Sequence, residues 1–217
     1  MNFWQFVATN RLQVLDLTLE HITLVGLAML FAILIGIPLG IAITRKPGLS
    51  KLVLGSANVI QTIPSLALFG FLLPAPWIGE RGGRLAVLAL TLYALLPLIR
   101  NTYTGIRNVD PAVVEAGRAM GLTDRQLLFQ VQLPLASSVI VAGVRIATVV
   151  SVGLATIAAA IGAGGLGEFI FRGLAMVNNQ LILAGALPAA LLALAADVGL
   201  GALERRLGTP GVVIRVQ

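Results

Sequence analysis

Residues 100–134 read RNTYTGIRNVDPAVVEAGRAMGLTDRQLLFQVQLP, and they interrupt an otherwise apolar chain once. They hold Arg100, Arg107, Asp110, Glu115, Arg118, Asp124 and Arg125, in a protein where only 11% of residues are charged. Asp110-Pro111 makes a helix start, a capping side chain followed by proline at the first helical position. Ala112 to Met120 continue that helix, and Gly121 closes it in the left-handed region. Thr123, with Gln126 three residues on, has the capping-box spacing and opens a second helix. This one carries Leu127, Leu128, Phe129, Val131 and Leu133, and Pro134 marks the return towards the next apolar run. Small residues Ala112, Ala116, Gly117 and Ala119 keep the first helix slim enough to enter a groove. Two short helices meeting at a glycine make a compact knob suited to docking another protein. An amphipathic loop lying flat on a bilayer is the alternative.

Around this insert, hydrophobic residues make up 58% of 217 and the mean hydropathy is +0.96, well above a water-soluble chain. Several stretches approach the twenty or so residues that cross ~30 Å of hydrocarbon, and five spans are read: about Ile22–Thr44, Leu52–Leu73, a short Leu85–Ile99, Leu135–Ile161 and Leu181–Leu203. The expectation is an all-α, polytopic membrane protein of five transmembrane helices, with the insert between spans three and four. Residues 1–20 read as an interfacial lead-in carrying Phe3, Trp4 and Phe6, residues 21–206 as the transmembrane domain, and 207–217 as a tail. Trp4 and Trp77 suit interfacial anchoring. Pro38, Pro64, Pro97 and Pro188 fall in or near the spans and favour bent helices around a cavity.

Basic residues orient the bundle. With the N-terminus outside, the inner segments carry Arg45, Lys46, Lys51, Arg100, Arg107, Arg118, Arg125, Arg205, Arg206 and Arg215, against Arg11, Arg81, Arg84 and Arg172 outside. That bias places the insert and the C-terminus in the cytoplasm. The net charge of +6 is spread along span flanks rather than gathered in one patch, which argues against nucleic acid. With no cysteine, disulfides and thiolate chemistry are excluded.

The insert resembles the signature of the membrane subunits of type I ATP-binding-cassette importers: E-A-A, three residues, G, nine residues, I-x-L-P. Here it runs Glu115-Ala116-Gly117, Gly121, then Val131-Gln132-Leu133-Pro134, with Gly117 for the second alanine and Val131 for isoleucine. Further stretches, among them Thr62 to Leu68, Tyr93 to Pro97, Arg100 to Ile106 and Ile161 to Gly167, are similar to the osmoprotectant branch, which imports glycine betaine, choline, carnitine and related compounds. The resemblance spans about residues 18–206. It implies coupling to a separate ATPase through Glu115, Ala116, Gly117, Gly121, Leu133 and Pro134. It also implies a second permease subunit, identical or different, an extracellular or periplasmic substrate-binding protein, and a bacterial or archaeal inner membrane. ATP and magnesium then belong to the partner, leaving no cofactor or metal in this chain. No G-x-x-x-x-G-K-[ST] phosphate loop occurs, and the only lysines are Lys46 and Lys51. Rival readings are the same machine carrying another amine, amino acid or zwitterion, and a stand-alone carrier or channel.

Other features carry two readings each. Asn58, Gln61, Thr62 and Ser65 recur at i, i+3, i+4, i+7, on one helical face. They line a substrate path or make interhelical hydrogen bonds. Arg145, with Thr148 and Ser151, poses the same question at about 15 Å into its span, and Asp197 is its candidate partner. Gly162, Gly164 and Gly167 match G-x-G-x-x-G but follow a membrane span, so close helix approach or an outer gate fits better than nucleotide binding. Glu168 and Arg172 are spaced for an exposed pair. The sparse, scattered aromatics do not form a cage for a quaternary ammonium. His21 is the sole histidine, and no nucleophile–base or carboxylate constellation points to an enzyme.

Overall fold

A computed structural model describes residues 3–74 and 82–208. Trp77, Arg81, Arg215 and the tail beyond 208 lie outside the described residues. Among the described residues ten α-helices follow in order: α1 (Phe3–Thr9), α2 (Arg11–Thr44), α3 (Pro47–Thr62), α4 (Ser65–Leu72), α5 (Gly82–Arg107), α6 (Pro111–Ala119), α7 (Asp124–Leu127), α8 (Leu133–Ala158), α9 (Gly167–Ala175) and α10 (Asn179–Leu207). A π turn (Leu128–Gln132) joins α7 to α8, and a 3-10 turn (Ala159–Ile161) ends α8. In hydrocarbon each backbone N–H and C=O must find a partner inside the protein, which is why long apolar runs become helices.

Among the described residues four helices are long and apolar enough to span a bilayer: α2, α5, the continuous helix Asp124–Ile161, and α10. The second sequence-derived span is not one rod. At Ile63-Pro64 the backbone turns extended, and Gly48–Thr62 meets Ser65–Leu72 at 100°, a broken span or re-entrant loop. Proline holds its predecessor out of the helical region, so Ile63 must leave the helix. Helix α2 begins earlier than the apolar run and extends for about 51 Å, well beyond the hydrocarbon.

Helix α5 is the buried centre, with α2 on one side and α8 on another, and α10 against α8. The core between α2, α5 and α8 is built from Val25, Ala28, Met29, Ala32, Leu90, Ala94, Leu98, Ala147, Val152 and Ala155. Small residues let the backbones approach: a Cβ on Gly40 would stand 2.7 Å from Thr102 Cβ. The outer faces carry exposed Leu12, Leu30, Leu34, Leu187, Leu191 and Val198, as lipid contact requires. At the α1 end, Phe3 and Phe6 pack against the Leu166–Phe169–Leu181 cluster, with Phe6 and Phe169 edge to face at 6.3 Å. Of the three aromatics expected at the headgroups, only Trp4 is largely exposed.

Candidate functional site

The insert folds as its sequence dictates. The Asp110 side chain accepts a hydrogen bond from Ala112 N–H at 2.8 Å, and Pro111 occupies the first turn of α6. At the other end Gly121 takes φ +84°, its N–H donates to Arg118 O, and Leu122 N–H donates to Gly117 O. That pair of bonds is a Schellman closure, and it satisfies carbonyls that would otherwise lack partners. Thr123 and Gln126 complete the capping box: Thr123 N–H donates to Gln126 Oε1 at 2.9 Å, and Gln126 N–H to Thr123 Oγ1 at 3.3 Å.

Two features differ from the sequence reading. Pro134 does not end the second helix, because α7 continues through the π turn into α8. Pro134 cannot donate to the carbonyl four residues back. The wider turn re-registers the ladder so that Leu133 N–H meets Leu128 O. The knob's second helix is therefore the first turn of a 38-residue helix, about 57 Å long. The second difference concerns Gly117, which is buried inside the knob rather than on its docking face. A Cβ there would approach Leu127 Cδ1 to 2.7 Å.

Glu115, Ala116 and Pro134 are exposed, as are Ala112 and Ala119. Leu133 is half-buried against the Ile106–Leu128–Ala136 cluster. The knob also leaves apolar Val113, Met120 and Phe129 exposed. A cleft of about 520 Å³ separates α6 from the bundle; Arg45, Arg107, Glu115, Arg118 and Gln132 are among its lining residues. Across it Arg45, the C-cap of α2, reaches the first turn of α7, with Nη1 3.5 Å from Asp124 Oδ1 and Nη2 donating to Asp124 O at 3.0 Å. Sequence reasoning took Arg45 only as a topology marker; no local pattern shows a partner 79 residues away.

The path-lining candidates do not come together on one wall. The break at Ile63-Pro64 separates Ser65 from Asn58, Gln61 and Thr62, so the four share no helical face. Asn58 is exposed, Thr62 is exposed and bonds its own helix at Val59 O, and Ser65 is half-buried at the start of α4. Gln61 Nε2 donates to Tyr93 O at 2.9 Å, the interhelical alternative. Thr148 bonds Val144 O in its own helix, and Ser151 is buried with Oγ 3.8 Å from Met29 Sδ. Arg145 pairs with Asp197 (Nε to Oδ1, 3.5 Å) and also with Glu204 (Nη1 to Oε2, 3.3 Å), a second partner the sequence reading missed. The 7-residue spacing from Asp197 to Glu204, two helical turns, was the available signal.

The glycine motif forms the turn after α8, with Gly162, Gly164 and Gly165 at φ +73°, +83° and +77°. The element that leads into it is α8 with its closing 3-10 turn, not the strand that a dinucleotide-binding turn follows. Gly165 N–H donates to Glu20 Oε2 at 3.0 Å, and fully buried His21 places Nε2 3.1 Å from Val152 O. Among the described residues no ion pair joins Glu168 to Arg172.

The sequence profile of binding-protein-dependent transport system inner membrane components matches residues 22–209. The chain is 43% identical over 208 residues to the carnitine transport permease protein OpuCB of Listeria monocytogenes, covering 96% of this chain and 94% of that one. It is 41% identical over 208 residues to the choline transport system permease protein OpuBB of Bacillus subtilis, with the same coverage. It is 42% identical over 214 residues to the osmoprotectant import permease protein OsmW of Salmonella typhimurium, covering 98% and 100%. The fold matches an inward-facing methionine ABC transporter with TM-score 0.78 at 24% identity over 87% of this chain and 93% of that one. It also matches an amino acid ABC transporter with TM-score 0.79 at 21% identity over 95% and 99%. The chain therefore belongs to the binding-protein-dependent transport system inner membrane components, the multi-pass permease subunits of ATP-binding-cassette importers.

Proposed function

We propose that this permease forms half of a translocation pathway for osmoprotectants of the glycine betaine, choline and carnitine class. Its knob docks on a separate cytoplasmic ATPase. The supporting observation for the substrate class is identity above 40% over nearly the whole chain to permeases named for carnitine, choline and osmoprotectant import. The support for the docking role is the capped, Gly121-closed α6 with Glu115, Ala116 and Met120 exposed on it. The pathway pairs this chain with a second permease, identical or sister. A binding protein delivers cargo to the outer face, and ATP with magnesium binds the ATPase alone. Residues 21–206 act as the transmembrane domain, the N-terminus lies outside, and the insert and C-terminus lie in the cytoplasm of a bacterial or archaeal cell.

Because α7 and α8 are one helix, a push on the knob acts along the lever axis into the membrane. The coupling is mechanical: ATP closes the ATPase dimer, the knobs follow, and the bundle opens outward. Proteoliposomes holding the permease, its ATPase and its binding protein test this, with labelled glycine betaine, choline and carnitine. Uptake that requires ATP and the binding protein is the expected result; uptake by the permease alone under an ion gradient overturns it. Replacing Gly121 by Leu preserves membrane insertion but leaves ATP hydrolysis without matching uptake, because a side chain at φ +84° re-aims the knob.

A further inference from the structure

We infer that the first long helix, α2, clamps the lever helix at both ends, with Arg45 and Glu20 as the positioning residues. The inference rests on the coupling role of the insert. At the knob end, Arg45 holds Asp124 through its carboxylate and through its backbone carbonyl. At the far end, Glu20 accepts the Gly165 N–H, and His21, one residue on, meets Val152 O from a fully buried position. From His21 to Arg45 is about 36 Å along α2, and from Asp124 to Val152, the partner of His21, about 42 Å along Asp124–Ile161, so the two helices run antiparallel. Between the grips they share a core of Ala28, Met29 and Ala32 against Ala147, Val152 and Ala155.

The far grip is shaped around the carboxylate. A Cβ on Gly164 would stand 2.6 Å from Glu20 Oε2, and one on Gly165 would stand 3.1 Å from His21 Nδ1. This gives the glycine-rich turn a use that nucleotide binding does not: it seats Glu20 and His21 at the end of the lever. A lever held at one end only would tilt about the π turn when the knob is pushed. Held at both ends, it moves with α2 as one body, so displacement at the ATPase reaches the outer turn.

This chain has no cysteine of its own to compete with an introduced pair. In the reconstituted transporter, cysteines replacing Arg45 and Asp124, joined by a short bis-thiosulfonate, should leave cargo uptake and ATP hydrolysis coupled. Loss of uptake on cross-linking overturns the clamp, since it means the two elements part during the cycle. Without a cross-linker, E20A should lower uptake per ATP hydrolysed about tenfold, the scale of a hydrogen bond to a charged group, while E20Q, which keeps a neutral acceptor, should fall between E20A and the parent. R45A should lower it about twofold, as an exposed pair allows, and D124A less, because the Arg45 bond to the Asp124 carbonyl survives. Parent-like ratios in both E20A and R45A overturn the clamp. Gly121→Leu is the control: if it too stays coupled, the docking role itself has failed, whereas uncoupling by Gly121→Leu alone removes only the clamp.

Discussion

Gly121 and Gly164 both sit at positive φ, yet they answer to different constraints. Around Gly121 there is open space, so its requirement is conformational: the turn between α6 and α7 needs the left-handed region. Gly164 is hemmed in by Glu20 as well, so its requirement is conformational and steric. Gly164→Ala should therefore destabilise the protein by about 1–2 kcal/mol for backbone strain alone, plus the displacement of the carboxylate. In an E20A background the same change should cost less, a non-additivity that melting curves in detergent will read. Thr123 works differently, through its side-chain oxygen. Thr123→Ala removes the acceptor for the Gln126 N–H and should cost about 1 kcal/mol of local helix stability, seen as faster amide exchange in α7.

The elements trade backbone partners. Pro97 inside α5 has no N–H for Tyr93 O, and α3 supplies the missing donor through Gln61 Nε2. In return the Tyr93 hydroxyl donates to Ile63 O, at the break where α3 stops. The proline in one helix and the break in another are thus mutually satisfied, as a low-dielectric setting demands. Gln61→Leu should destabilise by about 1–3 kcal/mol because the Tyr93 carbonyl is then unpaired. Restoring the N–H with Pro97→Ala should cut that cost, and thermal melting of the four-member cycle measures it. The π turn before Pro134 solves a similar difficulty within one helix, by changing register rather than by borrowing a donor.

Across the whole molecule, Arg145 is the charge that ties α10 to α8. Asp197 and Glu204 lie two turns apart on α10, with Gly201 between them; a Cβ there would stand 2.9 Å from Arg145 Nη1. Arg145→Ala leaves two carboxylates without their cation, one of them about 15 Å from the end of α10. We expect a loss of about 1–2 kcal/mol, below the cost of breaking a fully buried pair because the Asp197 side chain is 51% exposed. Combining Arg145→Ala with Asp197→Asn and Glu204→Gln should recover much of the melting temperature, which a path-lining arginine would not predict.

The local features of this protein were legible in its sequence because each is set by neighbours within a few residues. The apolar runs, the caps at Asp110 and Thr123 and the closure at Gly121 need only helix geometry and hydrogen-bond chemistry, whereas the spacing from Glu115 to Pro134 carries meaning through a family resemblance. What the tertiary structure decided depends on groups distant along the chain. It turned α3 and α4 at 100°, merged the knob's second helix with the fourth span and brought Gln61 Nε2 to Tyr93 O. It also brought Arg45 to Asp124, Glu20 to Gly165 and Glu204 to Arg145. The physical reason is common to all of these. In a membrane, an unsatisfied polar group must be met by whatever donor or acceptor the bundle brings alongside, and one-dimensional spacing does not record which helix that will be.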